Sequence, residues 1–268
     1  MYQDKFNEAA SALDNVIGVY SLVSDYGSQF LRFGENGPES VFEIQYSNQS
    51  NWYDWGCAHC SEGNYAIIMN GPRGWSGPEY AQGWSFNVPT AEFYNSFEEG
   101  DSRRDATVLD IEAFAAATGS SYTEGYDHTG YFNNKYIPRA GESGGQTELN
   151  YLTNFRIIRY SDVLLMAAEA YNRGGIDDGL AQEFLNQVRR RAFGDNDHDI
   201  SVSGTALTDA IWEERKFELS LEGHRFFDLV RTGRASSLIP GFVEGKHEVF
   251  PIPQQEIDIS GLTQNAGY

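Results

Sequence analysis

Phe155–Tyr171 (FRIIRYSDVLLMAAEAY) is the stretch whose reading sets the fold class. Ile157, Tyr160, Leu164, Ala168 and Tyr171 recur at spacings of three and four, which gathers them on one face of a helix. Gly174-Gly175 stops that helix. Leu180–Phe193 reads as a second helix, ended by Gly194. Thr208–Arg231 reads as a third, with Thr208 or Asp209 as N-cap and Gly233 as its stop. Upstream, residues 2–17 (YQDKFNEAASALDNVI) keep Phe6, Ala9, Ala10, Leu13, Val16 and Ile17 on one apolar face. Val41–Tyr46 (VFEIQY) alternates β-branched and aromatic residues as a strand does. Glu248–Ile252 reads as a short extended segment before Pro253. The fold class is mainly α, with a few short strands. Its helix pairs, joined by tight glycine turns, resemble tetratricopeptide hairpins, although no 34-residue self-similarity is visible.

Between the first helix and the helical half the character changes. From Ser47 to about Tyr94, Gly, Asn, Ser and Pro punctuate the chain and no helical period survives. A second loop-rich stretch runs from Gly119 to Gly145. Together they make a loop-rich excursion over about residues 47–145, between helical parts at about 2–17 and 155–232. Such long irregular stretches are uncommon inside compact domains and are often functional. Four of the five tryptophans, Trp52, Trp55, Trp75 and Trp84, sit in it, with Tyr53, Tyr65, Tyr80 and Tyr94.

The 268 residues carry 19 basic and 39 acidic side chains, a net charge of −20. A negative field of that size argues against nucleic acid or an anionic membrane as a partner, and favours a neutral or weakly charged ligand. The longest unbroken apolar run, Val163–Ala168, is far short of the roughly 20 residues of a spanning helix. The first 30 residues show no signal peptide. Two cysteines make no disulfide framework.

Seven segments in order resemble the SusD/RagB family: Glu39–Tyr46 (ESVFEIQY), Gly83–Thr90 (GWSFNVPT), Phe97–Thr107 (FEEGDSRRDAT), Phe155–Ala170 (FRIIRYSDVLLMAAEA), Leu185–Ala192 (LNQVRRRA), Glu214–Arg231 (ERKFELSLEGHRFFDLVR) and Phe250–Tyr268 (FPIPQQEIDISGLTQNAGY). The resemblance implies a cell-surface glycan- or nutrient-binding lipoprotein of the outer membrane. It would capture oligosaccharide and deliver it to a TonB-dependent, SusC-like transporter, without enzymatic activity or a cofactor. Family members are longer and begin with a signal peptide and a lipidated cysteine. The expectation is therefore that residues 1–268 are the C-terminal SusD/RagB-like domain, with the N-terminal part and its lipid anchor absent from this chain.

Against that background, Asn51-Trp52-Tyr53-Asp54-Trp55 is the leading glycan site. A sugar's C–H face packs on an aromatic ring while its hydroxyls need polar partners, and this run supplies both. Tyr65 and Trp75, in the same glycine-rich stretch, are the next candidates; Trp84 reads as structural. Cys57-Ala58-His59-Cys60 has CxxC spacing, but no βαβ unit surrounds it and no second ligand pair completes a zinc site, so it reads as a local disulfide or two loop thiols. Asp195, Asp197 and Asp199 alternate as in a calcium loop, yet Ile200 and Ala206 stand where an EF-hand needs Gly and Glu; only a looser calcium site would suit them. Asp162, Glu169, Arg189, Arg191, Glu214, Glu218, Glu222, Arg225 and Asp228 read as a structural polar network, because acids and bases interleave on packed helices. Two rival functions stay open: a glycoside hydrolase using a carboxylate pair, and a tetratricopeptide-type adaptor that binds protein.

Overall fold

The computed structural model describes residues 1–49, 55–143 and 149–268, without the side chains of Trp55, Ala58 and His59. Along the chain come α1 (Phe6–Leu13), two 3-10 turns (Tyr26–Phe30 and Arg32–Gly34) and β1 (Ser40–Ile44). The excursion follows: a 3-10 turn at Trp55–Cys60, α2 (Ala66–Met69), β2 (Arg73–Ser76), α3 (Ala91–Asn95), α4 (Arg103–Thr107), β3 (Val108–Asp110), α5 (Ile111–Thr118), β4 (Ser121–Thr123) and β5 (Tyr131–Asn133). The remainder holds β6 (Phe155–Arg159), α6 (Tyr160–Arg173), α7 (Asp178–Phe193), α8 (Gly204–Glu218), α9 (Arg225–Arg231), α10 (Ala235–Leu238) and α11 (Gln254–Ser260). The protein is mainly α. No helix among the described residues is long and apolar enough to cross a membrane.

The α6–α7 hairpin is built as its sequence directs. Gly174 caps α6 and Gly175 turns the chain at φ +62°. The Asp177 carboxylate then accepts the Leu180 N–H at 3.0 Å to start α7, and Gly194 at φ +84° ends it. Such an Asp cap contributes about 1 kcal/mol. The inner faces bring together Val163, Leu164, Leu165, Ala167 and Ala168 with Ala181, Leu185 and Val188, and α8 adds Leu207 and Ile211. The alanines let the helix axes approach closely, and each fully buried leucine contributes roughly 1.5–3 kcal/mol. Leu13, Val16 and Ile17, in and just after α1, close the same core.

Four expectations need correction. The segment Phe155–Arg159 is strand, not helix: β6 pairs antiparallel with β1, Phe42 opposite Ile158 and Ile44 opposite Phe155. Its Ile-Ile pair suits either state, and pairing with a strand more than 100 residues away decides it. The helix expected over 208–231 is two helices. The break at Leu219–His224 contains Leu221 at φ +63° and Gly223 at φ +88°, conformations no helix accommodates. The first helix stops at Leu13 and the chain leaves it in turns, with Gly18 at φ +82°. Residues 248–252 are turn and irregular backbone and form no strand.

The excursion packs into two aromatic cores, the first shared with residues on either side of it. One joins Tyr26 and Phe30 to Ile67, Ile68, Tyr136 and Tyr151; the other joins Tyr80, Leu109, Ile111, Phe132 and Ile137. The GWSFNVPT segment is hooked to α2 and the chain just after it by backbone bonds. Gly83 N–H donates to Pro72 O, Trp84 N–H to Ile68 O, and Phe86 N–H to Met69 O, at 2.8–2.9 Å. A Cβ on Gly83 would overlap the Asn70 carbonyl oxygen. Gly83→Ala is therefore expected to cost about 2 kcal/mol or more, within the range for backbone clashes. A lower urea midpoint at unchanged slope measures it; a midpoint equal to the parent's contradicts it.

Candidate functional site

Of the glycan-site candidates, Asn51, Trp52, Tyr53 and Asp54 lie outside the described residues, and Trp55 opens the Trp55–Cys60 turn. Cys57 and Cys60 are joined in a disulfide, so the local-crosslink reading holds and the free-thiol alternative does not. The bridge fixes the backbone directly after the aromatic run. Tyr65, at the N-terminus of α2, is 45% exposed. Burial raises the pKa of the neighbouring Tyr46, with a smaller contribution from Tyr65. Trp75 is half-buried and packs 5.9 Å from both the Tyr80 and the Phe114 rings. Asp199 is paired with Arg190, Asp195 accepts the Asp197 N–H, and no acidic cluster among the described residues is arranged to hold a metal.

The polar residues nominated from sequence come together more completely. Glu218, fully buried on α8, receives Arg103 at 3.2 Å, Arg159 at 2.9 Å and Arg191 at 2.6 Å. Glu214, one turn earlier, takes Arg103 at 2.5 Å and Arg189 at 2.8 Å. Glu222, in the break after α8, takes Lys135 at 2.7 Å and Arg159 at 2.8 Å. Asp101 completes Arg103, and Glu39 completes Arg159 and Arg191. A second group lies on α6, α8 and α9, where Arg215 bridges Asp162 and Asp228 while Arg231 bridges Asp228 and Glu169.

Arg225 does not join them. It forms no ion pair among the described residues; burial lowers its pKa and Arg234 lowers it further. Conversely, Arg103, Lys135 and Arg159 are central and were not nominated. Lys135 sits in an irregular segment, beneath the rings of Tyr26 and Phe30 at 5.1 and 4.9 Å, where no periodicity marks it. Arg103 and Arg159 lay inside the segments that carried the family resemblance, and that was the available signal.

Burial alone pushes the buried carboxyls up, but the surrounding cations outweigh it. Arg191, Arg159 and Arg103 hold Glu218 well below the usual carboxylate range. Arg159 and Lys135 hold Glu222 down. Burial lowers the Lys135 pKa to about 8, against the opposing pull of Glu222. These carboxylates remain ionised and bonded to cations, so none stands ready as a general acid.

Two outcomes follow from this geometry. Arg103→Ala should cost about 3–5 kcal/mol in denaturant melts, because it strands Asp101 and takes one of the cations from each of Glu214 and Glu218. Arg225→Ala should stay under about 1 kcal/mol; equal losses for the two would mean the ion cluster is not what carries stability. The depressed carboxyl pKa values contribute stability that is complete above the unfolded value of about 4.3 and vanishes as pH falls through the folded values. The melting temperature should therefore drop steeply between about pH 5 and pH 2; a flat profile there would contradict the linkage.

Comparison with known proteins accords with the fold. The SusD family model matches residues 38–248. SusD-like protein P2 of Formosa agariphila is 29% identical over 256 residues, covering 86% of this chain and 48% of the relative. A solved laminarin binding SusD-like protein superposes with TM-score 0.87 and 38% identity over 100% of this chain and 60% of its own. Surface glycan-binding protein A from Bacteroides thetaiotaomicron, in complex with laminarihexaose, superposes with TM-score 0.88 and 34% identity over 99% of this chain and 61% of its own. The chain spans about half the length of the curated relatives it matches. With residues 38–248, 211 of its 268, matched by the family model, this chain belongs to the SusD family.

Proposed function

We propose that this chain binds a neutral or weakly charged oligosaccharide at the bacterial cell surface and performs no chemistry on it. The observation that carries the reading is the likeness, at 34–38% identity across nearly the whole chain, to a laminarin-binding protein and to one in complex with laminarihexaose. The net charge of −20 agrees with an uncharged ligand, since a polyanion would be repelled. The aromatic run Trp52, Tyr53 and Trp55, with Asn51 and Asp54 as hydrogen-bonding partners and Tyr65 beside it, is the binding platform in this reading. The disulfide Cys57–Cys60 would limit the platform's freedom and so the entropy lost on binding. Delivery to a TonB-dependent transporter in the outer membrane, with a lipid anchor holding the full-length protein there, is the role that family membership supports.

The hydrolase alternative fares worse. The nominated carboxylates Glu169, Glu214, Glu218 and Glu222 are each bonded to at least one cation, whereas glycoside hydrolysis needs one protonated carboxyl with a raised pKa. A purely protein-binding adaptor would show no glycan affinity at all.

A glycan array followed by titration calorimetry tests the reading, with laminarihexaose as the first probe. Each stacked ring is worth roughly 0.5–1.5 kcal/mol by analogy with aromatic pairs. The Trp52→Ala/Trp55→Ala double variant should therefore bind about ten- to a hundredfold more weakly. Equal affinity in a folded variant would move the site elsewhere. Release of shorter sugars on incubation would replace binding by hydrolysis.

A further inference from the structure

A cavity of about 310 Å³ lies between α2, the end of β5, the start of β6 and the break after α8. That volume is at the lower end of small-molecule sites. We propose that it is a carbohydrate subsite, taking one uncharged sugar ring of a bound oligosaccharide; it rests on the glycan-binding reading above.

The lining selects the ligand class. Four asparagines border the cavity: Asn64, Asn70, Asn87 and Asn133. Its one carboxylate, Glu222, is already bonded to Lys135 and Arg159, so an ionic ligand would meet no free counter-charge. A purely apolar ligand would leave amides unpaired, which costs free energy. A polyol suits both facts, because each hydroxyl donates and accepts. The spare capacity is present in both senses. Asn133 Oδ1 accepts the N–H groups of Lys135 and Tyr136, while its amino group meets no protein acceptor among the described residues. Asn87 reaches Asn70 only through a long 3.4 Å bond from its amino group, leaving its carbonyl oxygen as an acceptor. Tyr136 and Phe155, stacked with centroids 5.1 Å apart, form an aromatic wall for a C–H face.

The backbone points the same way. Leu221 at φ +63° and Asn87 at φ +52° both line the cavity. A bulky residue such as leucine in the left-handed region is a genuine outlier, and such outliers cluster at ligand sites. Ala66 and Asn64 on the cavity rim follow the Cys57–Cys60 bridge by only a few residues, with exposed Tyr65 between them.

Calorimetry with laminarihexaose on the parent and two variants tests the proposal. Ala66→Trp places a large ring at the cavity mouth from an exposed position. Asn87→Gly removes an amide from another part of the wall while keeping the left-handed backbone. Each should weaken binding about tenfold, ~1.4 kcal/mol, with unfolding midpoints confirming that both variants fold. Parental affinity in both overturns the subsite and leaves the glycan reading standing. Weakening by Ala66→Trp alone also overturns it, because the effect then belongs to the exposed surface of α2 and not to the cavity. A parent that binds no neutral oligosaccharide on the array overturns both readings together.

Discussion

The ion cluster around Glu218 is the constraint on which the rest of the molecule depends. Five cations, Arg103, Lys135, Arg159, Arg189 and Arg191, meet five carboxylates, Asp101, Glu39, Glu214, Glu218 and Glu222. Their side chains are at most 9% exposed, so water cannot stand in for a missing partner. Burying such charges is expensive, and each is tolerable only because the others are in place. The cluster is therefore cooperative: it is satisfied in one arrangement of the chain and in no partial one.

That arrangement joins parts of the protein that local structure alone would leave separate. Arg103 and Lys135 come from the loop-rich excursion, Arg159 from the end of β6, Arg191 from α7, and Glu218 from α8. The excursion has few long helices or strands and only small aromatic cores. Its two buried cations act as bolts into the helical half. A rigid base of this kind lets loops carry a ligand site without losing their position. The break between α8 and α9 has the same origin. Turning the chain at Leu221 and Gly223 brings Glu222 inward to Lys135 and Arg159, and it also opens the asparagine-lined cavity beside it.

The helical hairpin was legible in the sequence because its signals are local. Apolar spacing and glycine stops are read within a few residues, and Gly174 and Gly194 act where expected, while the Asp177 cap of α7 emerged only in the structure. Half of the ion cluster was legible too, Arg189 and Arg191 with Glu214, Glu218 and Glu222, the three glutamates recurring at intervals of four. The regular spacing misled at Arg225, which continues the pattern past the break and so points away from the cluster. It also hid β6, because FRIIR satisfies a helical period as readily as a strand's. For the candidate glycan site, the sequence supplied residue types and their crowding near Trp52, while the wall formed by Asn64, Asn87, Asn133 and Phe155 has no signature along the chain.

By itself, then, the sequence determined a mainly α chain with a paired-helix core, an aromatic-rich excursion, a strongly acidic surface and an acid–base network on packed helices. Each of these depends on residue type and short-range spacing. Tertiary structure decided the strand state of Phe155–Arg159, the inward turn at Glu222 and the selection of Arg103, Lys135 and Arg159 as the central cations. It also decided the cavity whose walls lie up to 159 residues apart, from Asn64 to Gly223. These are long-range pairings, and charge burial and backbone hydrogen bonding settle them only once distant segments have met.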